Sequence, residues 1–73
     1  MKKSEFEKIV KAEVVADGAK VVDMNTTFEK DGLFQGTYLS TVLAIRNHVA
    51  HRYSAWSDGN GNVTVKYSAC LGA

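Results

Sequence analysis

The segment of residues 37–53 constrains the fold most, because its side chains separate by polarity when they are placed on a helix. Apolar residues recur there at the i, i+3, i+4 and i+7 spacing that is typical of a helix with one buried face. That face comprises Tyr38, Leu39, Val42, Leu43, Ile45, Val49, Ala50 and Tyr53. The opposite side carries Ser40, Thr41, Asn47, His48, His51 and Arg52. The pattern predicts an amphipathic helix in the middle of the chain.

A strand is the competing interpretation of the same segment, and it would make the domain largely β. Alternation with a period of two distributes the apolar side chains of this segment over both faces of such a strand. A half-buried strand has one apolar and one polar face. We therefore favour the helix.

A first helix is expected at the start of the chain. Ser4 and Glu7 have the spacing of a capping box, in which each side chain accepts a hydrogen bond from the other residue's backbone N–H. Gly18 suits the left-handed residue that follows the end of a helix. The apolar stripe between these points consists of Phe6, Ile9, Val10 and Val14.

Two hairpins are predicted, one after each helix. Residues 21–28 alternate in polarity, and a three-residue loop of Lys30, Asp31 and Gly32 would place Phe28 opposite Phe34. We prefer this register to a two-residue loop, which would place Phe28 opposite Gln35.

In the second hairpin, one face of the last strand is formed by Val63, Val65, Tyr67, Ala69 and Leu71. The turn fits either the two residues Asn60 and Gly61 or the four residues 58–61. Both choices place Trp56 on the same face as the valines.

The expected fold class is therefore α+β. We predict a single domain over residues 1–73, with two layers in the order helix, hairpin, helix, hairpin (αββαββ) and both helices on a small antiparallel sheet. The chain has one cysteine and two histidines, which excludes an internal disulfide and is too few for an ordinary structural zinc site. A homodimer would extend the small core of such a chain.

Charge and hydropathy narrow the classes of partner. The formal net charge is +1, so long-range attraction to nucleic acid or to an anionic membrane should be weak. No apolar run is long enough to span a bilayer, and charged residues follow the basic start where a signal peptide is apolar. We expect a cytoplasmic protein that binds no cofactor and no membrane.

Arg46 is the one charged residue within the apolar stripe of the predicted central helix. A guanidinium remains charged at ordinary pH, so burying it without a partner is costly. Glu13 falls on the apolar side of the first helix and could reach it. We hypothesise a structural ion pair between Glu13 and Arg46; a snorkelling Arg46 or one that faces an anionic ligand are the alternatives.

Five residues are candidates for binding a partner. The polar side of the predicted helix presents a cluster of basic and imidazole groups, and aromatic and basic residues interleave further along the chain. Neither group has the spacing of a metal site or of a catalytic motif. The candidates are His48, His51, Arg52, Trp56 and Lys66.

The sequence favours a small non-enzymatic protein that binds a protein partner as an inhibitor or adaptor. Small chains of this kind are often encoded by phages or other mobile elements. A module for RNA or single-stranded DNA, using Arg52, Trp56 and Lys66, is the alternative. A small metal-dependent enzyme that uses His48 and His51 is a lesser one.

Overall fold

The computed structural model describes residues 1–29, 37–58 and 60–72, which form one helix and a four-stranded antiparallel sheet. The helix α1 is followed by strands that lie in the sheet in chain order, so β1 and β4 are its two edges. The bounds are α1 Lys3–Ala16, β1 Lys20–Glu29, β2 Thr37–Arg46, β3 Val49–Ser57 and β4 Val63–Gly72. The fold is α+β, but the predicted αββαββ arrangement with two helices is wrong.

The predicted central helix is the hairpin of β2 and β3. Both are inner strands of the sheet, where side chains of the neighbouring strands partly cover apolar residues on either face. Val42 and Ala44 are buried beneath α1, whereas Leu39 and Leu43 alternate with them on the other face. The apolar residues on both faces were therefore a sign of an inner strand. The many β-branched and aromatic residues in this segment agree with that conformation.

A two-residue turn joins β2 to β3. Arg46 lies opposite Val49, and the residues between them, Asn47 and His48, have φ values of 54° and 65°. Positive φ at both central positions is the geometry of the hairpin turn that matches strand twist. Asparagine and histidine tolerate this conformation better than most residues, but His48 occupies the position where this turn usually has glycine. The sequence therefore gives a weak signal for this turn.

The core lies between α1 and one face of the sheet. Phe6, Val10 and Val14 of the helix are fully buried, which confirms three of the four residues predicted for its apolar stripe. They pack with a cluster of sheet residues made up of Val42, Ala44, Tyr53 and Ala55. Phe6 also stacks on Tyr38, with ring centroids 5.4 Å apart. Ile9, the fourth predicted member, is 39% exposed.

The start of α1 differs from the prediction. The helix begins at Lys3 after Lys2, and no side chain caps it, so the predicted capping box of Ser4 and Glu7 is wrong. The carboxylate of Glu7 instead accepts a hydrogen bond of 2.8 Å from the hydroxyl of Thr26 on β1. A tertiary contact with the sheet has taken the place of the local one.

The end of α1 confirms the role of Gly18. Its φ of 86° is left-handed, and its N–H donates to the carbonyl of Val15 at 2.9 Å. The N–H of Ala19 donates to the carbonyl of Val14 at 3.3 Å. These two bonds are the Schellman motif, and the burial of both Val14 and Ala19 supplies its apolar contact. The motif turns the chain directly into β1.

The first hairpin pairs β1 with β2 in a different register from the predicted one. Phe28 lies opposite Tyr38, with ring centroids 4.8 Å apart, so the predicted Phe28–Phe34 pair is wrong. An aromatic partner was expected for Phe28, but it comes from four residues further along the chain. The predicted loop of residues 30–32 lies outside the described residues.

The second hairpin has a loop of residues 58–62 between Ser57 and Val63, which face each other. The carboxylate of Asp58 accepts hydrogen bonds from the N–H groups of Asn60 at 2.8 Å and Asn62 at 2.9 Å. Bonds from Asn62 above all hold the pKa of this carboxyl below its usual range. Gly59 lies outside the described residues.

This loop is one residue longer than the longer of the two predicted turns, and the difference inverts the prediction for Trp56. In the observed register Trp56 lies opposite Thr64, on the face away from Val63 and Val65. Because strand side chains alternate, a shift of one residue moves a side chain to the other face of the sheet. A register shift beyond Tyr67 likewise brings Ala69 opposite Arg52.

Within the described residues, no helix combines the length and the apolar character needed to cross a membrane.

Candidate functional site

The face of the sheet that points away from α1, here called the open face, is the candidate functional site. Leu43 lies opposite Arg52, and Leu39 lies opposite Trp56, across the two inner strands. On β4, Lys66 lies opposite Ser54 and joins the same face. The described part of the chain contains no second helix or sheet that covers this face. The open face comprises Leu39, Leu43, Ile45, Ala50, Arg52, Trp56 and Lys66, together with short polar residues.

Apolar groups line the two inner strands of the open face together with Arg52, and further charges lie on its edge strands. Leu39 and Leu43 are half-buried, and Ile45 is 42% exposed although it belongs to an inner strand. Asp23 on β1 and Lys66 on β4 are exposed on the two edge strands. An exposed apolar centre within a polar rim is the arrangement of many interaction surfaces.

A shallow groove of about 290 Å³ runs beside Trp56 on this face. Its walls include the side chains of Leu39 and Trp56, and its rim is made of small hydroxyl and amide residues. The polar residues that line it include Asn25, Thr27, Thr41 and Ser54. The groove has the size of one or two side chains of a partner and offers both apolar contact and hydrogen-bonding groups.

The five predicted binding residues do not form one cluster. Arg52, Trp56 and Lys66 share the open face. His48 is exposed in the turn between β2 and β3, at one end of the sheet. His51 is buried on the opposite face, beneath the helix layer, because it alternates with Arg52 along β3. The structure thus brings three of the five together and separates the two histidines.

A second group of polar side chains lies on the helix side of the sheet. The carboxylate of Asp17, just after α1, accepts a hydrogen bond of 2.5 Å from the hydroxyl of Tyr53. The same oxygen, Oδ2, is 3.1 Å from Nη1 of Arg46. Asp17 therefore ties the end of the helix to both inner strands.

The partner of Arg46 corrects the hypothesis of a Glu13–Arg46 pair. Asp17 lies one helical turn beyond Glu13, and it is Asp17 that forms the ion pair. The Arg46 side chain is 34% exposed, and its guanidinium lies 5.9 Å from the centre of the Tyr67 ring. Pairing, partial exposure and contact with an aromatic face together remove the cost of placing this charge near the core.

His51 contacts the aromatic ring and the hydroxyl of Tyr67 on the same side. Its Nδ1 lies 2.9 Å from the hydroxyl of Tyr67, which is 48% exposed. Tyr67 also meets the Tyr53 ring edge to face at 5.6 Å. These contacts stabilise the layer between helix and sheet and explain why a histidine is buried there.

The chemistry of this second group is that of a structural network. Burial of Tyr53, which is 3% exposed, together with its bond to Asp17, raises the pKa of its hydroxyl. A tyrosine with a raised pKa remains protonated and donates a hydrogen bond, so it is a poor general base.

A cavity of about 300 Å³ lies beside Tyr53. It is lined by Glu13, Ala16, Asp17, Tyr53, Val65 and Tyr67.

Over residues 1–29, 37–58 and 60–72, no three or more His, Cys, Asp and Glu side chains are grouped so that they could hold a metal ion. Cys70 is exposed and free near the end of β4.

Sequence reasoning missed the residues that give the open face its character. Leu39, Leu43 and Ile45 were assigned to the core of a helix, although alternation with Val42 and Ala44 was present in the sequence. It also missed Asp17 as the partner of Arg46. The signal there was the position of Asp17 next to Gly18, at a helix end that must turn back towards the sheet.

Comparison of the chain with models of protein families, with curated proteins and with solved structures gave no match.

Proposed function

We propose that this protein is a small non-enzymatic binding protein that acts as an inhibitor or adaptor by docking a protein partner on its open face. The observation that supports this role is the apolar centre of that face, formed by Leu39, Leu43 and Trp56, which no described element covers. Burying such a centre against a partner would contribute the hydrophobic free energy that association requires.

The residue types on the open face also favour a protein partner. Tryptophan and arginine are the residues that most often dominate the binding energy of protein interfaces, and Trp56 and Arg52 lie here on one strand. Four strands at a spacing of about 4.8 Å, each about 30 Å long, give a face of roughly 600 Å². That is close to the roughly 800 Å² that each partner buries in a standard interface.

Binding of single-stranded nucleic acid is the second candidate, because Arg52, Trp56 and Lys66 share the open face. Cations beside an aromatic ring hold single strands by phosphate contact and base stacking. Trp56 is the single aromatic ring on this face within the described residues, and leucines lie where further stacking rings would be expected. The composition of the face therefore supports a protein partner better.

The test of the proposal is affinity capture from native host cells with matched variants of the full chain. The binding variant is Arg52→Ala/Trp56→Ala, and the control is Lys8→Ala/Lys11→Ala, which changes exposed residues of α1. Circular dichroism first establishes that both variants remain folded. We expect one host protein to be retained by the wild type and the control and to be lost with the binding variant.

The captured protein is then purified, and its affinity is measured at low and high salt. Removing two interface residues of these types should weaken binding by about tenfold to a hundredfold or more. Equal binding by the two variants, or no partner that depends on the open face, would contradict the proposal.

A parallel arm measures the anisotropy of labelled single-stranded RNA and DNA oligonucleotides. Tight binding that depends on Arg52 and Lys66 and falls steeply with salt would show the second candidate to be correct. Binding of a host protein that does not depend on salt, together with no binding of the oligonucleotides, supports the first candidate, a protein partner.

A further inference from the structure

The two edges of the sheet differ in how well they are protected against pairing with another strand. Natural edge strands carry charges or bulges that block such pairing. β1 has three charged side chains, Lys20, Asp23 and Glu29, and a register irregularity between Val21 and Asp23. β4 has one charged side chain, Lys66, among its ten residues, and its two register irregularities both lie beyond Tyr67. Residues 63–67 of β4 are therefore a regular edge segment with a single charge.

The part of β4 before its irregularities is a regular strand. Residues 63–67 pair with β3 without interruption, and the register shifts begin beyond Tyr67. Val63 and Val65 are half-buried on the helix side, and Tyr67 on that side is 48% exposed. Thr64 and Lys66 alternate with them and are exposed on the open face. Valine, threonine and tyrosine are all residues that favour strands.

This segment is complementary to itself when two copies run antiparallel. A two-fold axis through Val65 places Val65 opposite its equivalent, Val63 opposite Tyr67, and Thr64 opposite Lys66. Pairs of an aromatic with a β-branched residue stabilise neighbouring strands, and this register contains two of them. It brings no two like charges directly opposite each other.

Neighbouring registers are less favourable. An axis through Lys66 would oppose two lysines, which destabilises a pair of strands. An axis through Thr64 would extend the pairing into the loop that Asp58 organises. An axis through Tyr67 would pair residues across the register shift of β4. The axis through Val65 is the one that uses the whole regular segment.

We infer that two copies of this chain associate through antiparallel pairing of their β4 strands, with the axis at Val65, to form a continuous eight-stranded sheet. A chain of 73 residues with one cysteine has few other supports for a small core. Pairing along the edge leaves the open face of each copy uncovered. The dimer would thus present two partner-binding faces side by side.

A pair of charge substitutions at Thr64 tests the inference on the purified protein without any partner. Thr64→Lys would oppose Lys66 of the second copy twice in each dimer, and Thr64→Glu would form two opposite-charge pairs instead. Sedimentation equilibrium should show the dimer dissociation constant rising about threefold to tenfold for the first variant and falling by a similar factor for the second.

The matched control is the same pair of substitutions at Thr27, an exposed residue of the other edge strand. These variants should leave the dissociation constant unchanged. Equal effects at Thr27 and Thr64, or a wild type and a Thr64→Glu variant that both remain monomeric at the highest attainable concentration, would overturn the inference.

Cysteine cross-linking tests the register. In a Cys70→Ser background, Val65→Cys should form a disulfide-linked dimer under mild oxidation, because directly opposite Cβ atoms lie about 4.5–5.5 Å apart, a small movement from the roughly 3.5–4.5 Å that a disulfide spans. Thr64→Cys in the same background faces Lys66 and should cross-link much more slowly. A reversed order of the two rates would refute the axis at Val65. Both measurements use the purified protein without a partner, so failure here is distinct from failure of the proposed function.

Discussion

Adjacent residues on β2 should respond very differently to substitution, because Val42 and Leu43 lie on opposite faces of the sheet. Val42 is fully buried beneath α1, whereas Leu43 is half-buried on the open face. A helix over residues 37–53 would place both in the core and predict that an aspartate at either position unfolds the domain. The observed strand predicts a split.

The magnitudes follow from burial. Val42→Ala removes two methyl groups from a closed core and should cost about 2–3 kcal/mol, counting the cavity. Val42→Asp buries a carboxylate among the apolar residues of the core cluster, and several kcal/mol are expected for that alone. A domain of this length has a total stability of roughly 4–11 kcal/mol, so Val42→Asp should unfold it or nearly so.

Leu43→Asp should cost far less. It loses part of the roughly 1.5–3 kcal/mol of a fully buried leucine and up to about 1 kcal/mol of strand preference. The new carboxylate would lie between Arg52 on one side and Asp23 on the other, so its cross-strand charge effects nearly cancel. A net loss of about 1–2 kcal/mol leaves the fold intact.

Urea unfolding followed by circular dichroism measures both variants against the wild type. A folded Leu43→Asp protein with an unfolded Val42→Asp protein agrees with the assigned faces. Equal loss of structure in the two variants would contradict the placement of Val42 and Leu43 on opposite faces.

Three further predictions concern single polar residues. Burial and the bond to Asp17 raise the pKa of Tyr53, so the stability that they provide is complete below about pH 10 and is lost as the pH rises through the pKa of the folded state. The melting temperatures of the wild type and Tyr53→Phe should therefore converge at high pH, and a constant difference between them would contradict this. His48→Gly should stabilise the domain by about 1 kcal/mol by relieving a left-handed φ, whereas His48→Ala should not, as thermal unfolding can show. Because the pKa of Asp58 is lowered, its loop bonds add stability above about pH 4, and this stability is lost as the pH falls through the pKa of the folded state. The difference in stability between the wild type and Asp58→Ala should therefore narrow in acid, and a constant difference would count against the loop bonds.

The sequence was sufficient for the features that depend on local chemistry. The apolar stripe of α1 and the left-handed Gly18 follow from helical periodicity and from the absence of a Cβ atom. The presence of a strand before Phe28 and of one from Val63 onwards follows from alternation. Each of these features is decided within about ten residues of chain.

The remaining errors came from contacts between distant residues. Residues 37–53 satisfy helical periodicity and also suit an inner strand, and only pairing with β1 and β4 on both sides distinguishes the two. The side of the sheet that Trp56 occupies depends on a five-residue loop fixed by Asp58. Arg46 pairs with Asp17 and not with Glu13, because the Schellman turn brings Asp17 to the sheet. Arg52, Trp56 and Lys66 therefore share a face because of strand pairing, which the helical interpretation did not include.

Nuclear Overhauser effects between backbone protons of β2, β3 and β4 test the existence of the open face most directly. We expect cross-strand contacts between Leu43 and Arg52 and between Trp56 and Thr64, with extended-backbone chemical shifts throughout both inner strands. Strong sequential amide–amide contacts through residues 37–53, or a Trp56 paired with Val63 or Val65, would show that the open face does not exist.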